Sequence, residues 1–296
     1  MLAQLFAVMA PVLFGASLGF FWIKLGYSFP TSFVSRLTLN IGTPCLILAK
    51  LPASGVTLEN FNAILVAMIL IMLLMAVAGY GLCRWRKLDW QVYLPAMLFP
   101  NTGNMGLPIS HYAFGNRGFG IAIAIMVIVS LVQFTQGSMT SRRPLLSLVK
   151  TPTLYAIAIA LVMMAFHWQL PEWMFNTVDL ISGFTIPLML ITLGVSLASI
   201  QPRNLIIGMG FGVFRTLLAV AICLLVSMLL HLDAYKTGQI LLQVSMPVAV
   251  YNYLFAQRAG RSPETVASLV FCSTLLSLIY LPIILRVLFV YTPPLL

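Results

Sequence analysis

The residues best suited to hold a polar ligand in this chain are amides. Asn101 and Asn104 stand three apart in LFPNTGNMGLP, among Pro100, Gly103, Gly106 and Pro108, and Tyr251 and Asn252 follow Pro247 in QVSMPVAVYN. Proline removes a backbone donor and clashes with the preceding turn, while glycine adds freedom, so both stretches interrupt a helix. Half-helices that begin at such a break present unpaired N–H groups and the positive dipole end, which attract anions. Amide side chains can then bind a carboxylate without bringing a buried charge. The competing structural role for Asn101, Asn104 and Asn252 is to cap the kinks. Catalysis has no comparable foundation: His111, His167 and His231 are isolated, no HExxH or GxSxG occurs, and the six acids (Glu59, Asp89, Glu172, Asp179, Asp233, Glu264) fall in loops or at segment ends. The four cysteines are far apart and form no CxxC or Cys/His spacing, so neither a metal nor a cofactor is expected.

What positions these amides follows from composition. The chain has 296 residues, 61% hydrophobic and 7% charged, with a mean hydropathy of +1.03. Soluble domains carry about 25% charged residues, so a chain with so few belongs in a bilayer. Apolar runs place ten segments at about 2–22, 33–50, 61–83, 91–112, 119–139, 153–169, 178–199, 205–230, 238–256 and 265–289. Backbone groups have no partner in lipid, so stretches of this length must be helices. The N-terminal run lacks a basic lead and a small-residue cleavage site and is read as the first span. The expected fold class is an all-α polytopic membrane protein.

Charge gives the orientation. Odd-to-even connections carry Lys24, Arg36, Arg84, Arg86, Lys87, Arg142, Arg143, Lys150, Arg203, Arg258 and Arg261, against Lys50, Arg117, Lys236 and Arg286 on the other side, with Arg215 inside a span. An eleven-to-four split puts the basic loops in the cytoplasm and both termini outside. The net charge of +10 is therefore a topology signal and not a nucleic-acid surface.

The halves look alike. Pro44 and Pro187 are 143 residues apart and Pro100 and Pro247 are 147 apart, close to half the chain. Five spans per half is odd, so the second copy enters the membrane upside down: residues 1–139, a cytoplasmic linker at 140–151, and 152–296. Interrupted segments at matching places of inverted repeats mark the binding site of secondary transporters. The candidate ligand residues are Asn101, Gly103, Asn104, Gly106, Pro108, Pro247, Tyr251 and Asn252. Arg215, Lys50 and His111 are candidate charge partners, each with a structural or snorkelling alternative. Gln133 and Gln136 are candidates for a coupling ion, sodium or proton, although no acid lies in either broken segment. Alternatives are an anion channel, for which a continuous pore would be needed, and a sodium-coupled symporter of an amphipathic acid. Assembly as a homodimer is left open.

PNTGNMGLP (residues 100–108) resembles the fourth-helix motif of the auxin efflux carrier family, whose plant members read Pro-Asn-Thr-x-x-Met-Gly-x-Pro. QVSMPVAVYNYLFAQRAGRSP (residues 243–263) is similar to that family's ninth helix. The resemblance implies a bile-acid-sodium-symporter-like fold of ten helices in two inverted five-helix repeats, with crossovers in helices four and nine. It implies that these helices move against a domain of spans one, two, six and seven, and that the substrate is a small organic anion such as malonate or malate. Pro108 would mark the first crossover, with Asn104 beside it. The second crossover proline of the plant carriers falls on Asn252 here, and their long hydrophilic loop is absent.

Overall fold

The computed structural model describes residues 2–139 and 151–291, so Arg142, Arg143 and Lys150 of the basic side lie outside the described residues. The described residues form helices and no strand. In chain order these are α1 (Leu2–Lys24), α2 (Thr31–Leu37), α3 (Thr43–Lys50), α4 (Leu58–Arg86), α5 (Trp90–Leu98), α6 (Leu107–Met139) and α7 (Pro152–Ala165). There follow α8 (Glu172–Ser182), α9 (Thr185–Ser199), α10 (Leu205–Leu229), α11 (Ala234–Val244), α12 (Val250–Ala259) and α13 (Pro263–Tyr291). Seven tracts are long and apolar enough to cross a bilayer: Ala3–Lys24, Thr31–Ser54, Leu58–Arg86, Thr102–Gln133, Glu172–Ser199, Leu205–Leu229 and Pro263–Tyr291. The ten-segment reading and these seven tracts part where helices are broken or short. Segments 91–112 and 238–256 are each split, the second half of 91–112 runs on into segment 119–139 through a kink at Gly115 (φ 59°), and α7 has 14 residues.

Local chemistry explains the breaks. Thr38–Gly42 and Thr102–Gly106 are π-helical turns, each ending two residues before a proline, Pro44 and Pro108. A proline gives no N–H to the carbonyl four residues back, so the turn preceding it widens. Five of the six acids sit where helix dipoles favour them. Asp89 caps α5 by accepting from Gln91 N at 3.0 Å, and Asp233 caps α11 by accepting from Lys236 N at 2.8 Å. Glu59, Glu172 and Glu264 occupy first turns.

Packing falls into two groups. In one, α1 lies along α9, and α3 packs on α7 and α8; in the other, α4, α5, α6, α10, α11, α12 and α13 pack around the broken helices. The α1–α9 contact is backbone on backbone: a Cβ at Gly19 would fall on the Ile191 carbonyl, and one at Gly194 on the Ala16 carbonyl.

Candidate functional site

The two breaks meet. After α5 and after α11 the chain runs extended for a few residues, and Pro100 and Val248 form an antiparallel bridge. Asn101 N donates to Pro247 O at 2.7 Å and Ala249 N to Phe99 O at 3.0 Å. Each break thus supplies the partners the other lost, as irregular backbone at membrane depth requires. The half-helices have the right length for this meeting. At 1.5 Å per residue, α5 and α11 extend about 14 and 16 Å, roughly half of a 30 Å hydrocarbon layer.

Side chains from neighbouring helices take up further backbone groups of the crossing. Arg215, on α10 and 1% exposed, donates through Nε to Ala96 O at 3.0 Å and through Nη1 to Met246 O at 2.8 Å. It therefore bridges the carbonyl ends of both first half-helices, where a cation is favoured. Tyr280 OH donates to Ser245 O at 2.7 Å, and Val248 N donates to Ser273 Oγ at 3.0 Å. Gln243 Nε2 spans to Gly106 O and Ser110 Oγ at 3.0 and 2.9 Å. Asn252 turns into the crossing: its Nδ2 lies 3.3 Å from Pro95 O, and its Oδ1 accepts from Gln133 Nε2 at 3.2 Å.

The second half-helices begin at the crossing with no side-chain cap, at Asn101 for the π-helical turn leading into α6 and at Ala249 for α12. Beside them is a cavity of about 40 Å³ bordered by Pro100, Asn101, Gly103, Asn104, Gln133 and Tyr251, with Thr43, Met126, Ser130 and Thr153 opposite. Asn101 Nδ2 and Thr43 Oγ1 are buried and have no hydrogen-bond partner among the described residues. Asn104, 7% exposed, makes no side-chain hydrogen bond among them either. Buried amides are normally paired; at this cavity Asn101 Nδ2 is not, and the Asn104 amide beside it keeps some accessibility. Gly103 faces open space, its added Cβ meeting only Met126 Sδ at 3.8 Å, whereas a Cβ at Gly106 would strike the Gln243 amide.

The candidate residues are thereby sorted by place. Asn101, Gly103, Asn104 and Tyr251 border the cavity. Pro247 offers its carbonyl to Asn101 N, while Gly106 and Pro108 shape the entry into α6. Arg215 and Asn252 are engaged within the crossing. Lys50 pairs with Asp179 at 2.6 Å, and His111 rests between Tyr112 and Phe119 with ring centroids 5.4 and 4.8 Å away. The side chain of Gln136 lies outside the described residues. Sequence reasoning missed Thr43, Ser130 and Thr153, single hydroxyls on apolar helices whose convergence only the packing reveals.

A family model described as membrane transport protein matches residues 4–144 and 138–285. An uncharacterized transporter of Methanothermobacter thermautotrophicus is 25% identical over 277 residues, covering 85% of this chain and 87% of that protein. An uncharacterized transporter of Methanocaldococcus jannaschii is 25% identical over 194 residues, 60% of this chain and 62% of the relative, so that match spans less than two thirds of the relative's length.

Proposed function

The chain belongs to the membrane transport protein family, that of the auxin efflux carriers, and on that premise we propose that it carries a small organic anion, a mono- or dicarboxylate, across the inner membrane by alternating access. The observation that supports this most is the buried, unpaired Asn101 Nδ2 at the uncapped start of a half-helix, with the accessible Asn104 amide on the same cavity. A carboxylate placed there would receive the Asn101 Nδ2 donor and the Asn104 amide, together with the positive end of the turn. Hydrogen bonds to a charged group contribute about 1.5–3 kcal/mol each. Two or three of them are of the size needed to offset moving a charge to mid-membrane, about 2.5–3.5 kcal/mol on insertion scales.

The other parts of the reading follow. Asn252 and Arg215 hold the crossing together, and the substrate binds on the Asn101–Asn104 side. The paired caps support two inverted repeats of five spans each: Asp89 and Asp233 begin the first half-helices, and Thr57 and Asn204 cap the spans before them through bonds to Asn60 N and Ile207 N. In the resulting ten-span chain both termini face outside. The cavity of about 40 Å³ is far below the roughly 300 Å³ at which ligand pockets begin, so binding requires the two packing groups to separate along it.

Reconstitution into proteoliposomes and a screen of mono- and dicarboxylate uptake, with and without sodium or proton gradients, tests the reading. Asn104→Ala is expected to lower uptake at least ten-fold while leaving thermal stability within a degree or two. Unchanged uptake and affinity in folded Asn104→Ala and Asn101→Ala proteins would show that the site lies elsewhere.

A further inference from the structure

One flank of the site is thin. Towards the connections bearing Lys50 and Arg117, the crossing is backed by Gly106, Leu107, Ile109, Ser110, Gln239 and Gln243, all buried, most of them completely. Towards the opposite face, Asn104 borders a second small cavity, about 10 Å³, where Thr38, Met189 and Val250 are buried and the other walls, Thr31, Ser35, Thr192, Ser196, Tyr251 and Leu254, are half-buried. Its polar lining comes from two helices of the other packing group. Thr31, Ser35 and Thr38 recur every three or four residues along α2 and the π-helical turn after it, and Thr192 and Ser196 recur at four along α9. In these helices a hydroxyl ordinarily bonds back to the carbonyl one turn earlier, as Ser199 does to Val195 O at 2.8 Å. The hydroxyls of Ser35, Thr38, Thr192 and Ser196 make no hydrogen bond among the described residues. They are left facing the cavity, in line with the unpaired Asn104 amide.

We propose that this hydroxyl seam between α2 and α9 is the gate through which the Asn104 site communicates with the cytoplasm, its hydroxyls replacing the hydration shell of the anion as it passes. The inference rests on the carrier reading above. Hydroxyls suit the task because each can donate to a carboxylate yet carries no charge that would trap it. The mouth of the seam also lies on the side where the cation count is high. α2 begins at Thr31, α9 ends at Ser199 and α12 ends at Ala259, next to Lys24, Arg203 and Arg261. The opposing wall is Tyr251 and Leu254 of α12, so a shift of the broken helices away from α2 and α9 opens it.

The test uses the full chain in right-side-out and inside-out membrane vesicles, with a charged, membrane-impermeant methanethiosulfonate as the probe. The wild type, whose cysteines are buried or nearly so, serves as the blank. Asn104→Cys is expected to label at least ten-fold faster from the cytoplasmic face. Adding Ser196→Trp is expected to slow that labelling at least ten-fold, and adding Ser199→Ala, outside the cavity wall, to leave it unchanged. Should Ser196→Trp fail to fold, a Ser35→Cys, Ser196→Cys pair joined by a bifunctional thiol reagent plugs the seam in the folded protein. Equal labelling from both faces, or labelling indifferent to the plug, overturns the gate. Absence of carboxylate uptake by the wild type would instead overturn the carrier reading, and the labelling asymmetry would still be measured.

Discussion

At the scale of single residues, burial separates groups that hold the structure from groups that face a ligand. Arg215 is the clearest case. It has an aliphatic helix around it, almost no exposure and two carbonyl partners, one from each broken helix. Replacing it by alanine leaves Ala96 O and Met246 O unsatisfied, each costing about 1–3 kcal/mol, and the crossing loses its only bridging cation among the described residues. Arg215→Ala is therefore expected to lower the melting temperature in detergent by well over 5 °C. Arg215→Lys should restore only part of it, because one ammonium cannot match the planar fork across two carbonyls. An Arg215→Ala protein as stable as the wild type would show that the two carbonyls find other partners. Much of this division was legible in the sequence: amides between prolines announced themselves, and a lone arginine in an apolar span demanded a partner. The identity of the partner was not legible, since Ala96 and Met246 lie 119 and 31 residues away and contribute only backbone. Nor did the chain show that Asn252 turns inward while Asn104 stays free, because identical side chains on related breaks differ only in which carbonyls lie within reach.

At the scale of elements, glycine and proline have distinct jobs. The breaks in α5–α6 and α11–α12 were readable from their prolines, but the widened π-helical turns before Pro44 and Pro108 were not, because periodicity cannot register a single extra residue. Glycines serve the opposite purpose where α1 and α9 touch. Gly15 and Gly19 form a small-xxx-small pair, the arrangement by which membrane helices approach closely, and Gly194 completes it from the other side. What a Cβ would strike at Gly19 and Gly194 is main chain, which cannot rotate aside. Gly19→Ala and Gly194→Ala are expected to destabilise by more than the 1–3 kcal/mol typical of an overpacked core, read as an earlier unfolding transition. Gly81 and Gly210 have nothing within 4 Å of an added Cβ, so alanine there should be neutral or stabilising by roughly 0.5–1 kcal/mol through helix propensity. If all four variants unfold alike, the α1–α9 seam is not held by this close approach.

At the scale of the whole molecule, the scarcity of charge is an ordering of charge. The six acids sit at helix starts or in pairs, and in the proposed ten-span arrangement eleven of the cations fall on one side. Broken helices hide the span count from any rule based on length, since only seven tracts qualify among the described residues, and the ten-span proposal rests on alternation of charge instead. Ten spans put the ends of the chain on the same side, away from eleven of the cations, whereas a count of nine or eleven would put them on opposite sides. Alkaline phosphatase and green fluorescent protein fused in turn to the C-terminus separate these cases, because the first folds actively only outside the cytoplasm and the second fluoresces only within it. The expected result is an active phosphatase and a dark fluorescent fusion, with the pattern reversed for fusions truncated at the connection carrying Arg203. Fluorescence from both the C-terminal fusion and the fusion truncated at Arg203 would mean an even number of spans between them in place of three. The second half would then no longer enter the membrane inverted, and the matched caps at Asp89 and Asp233 would have to arise without a repeat. The same measurement fixes which face the hydroxyl seam opens to, since the seam emerges beside Arg203 and Arg261 and shares whatever side they occupy.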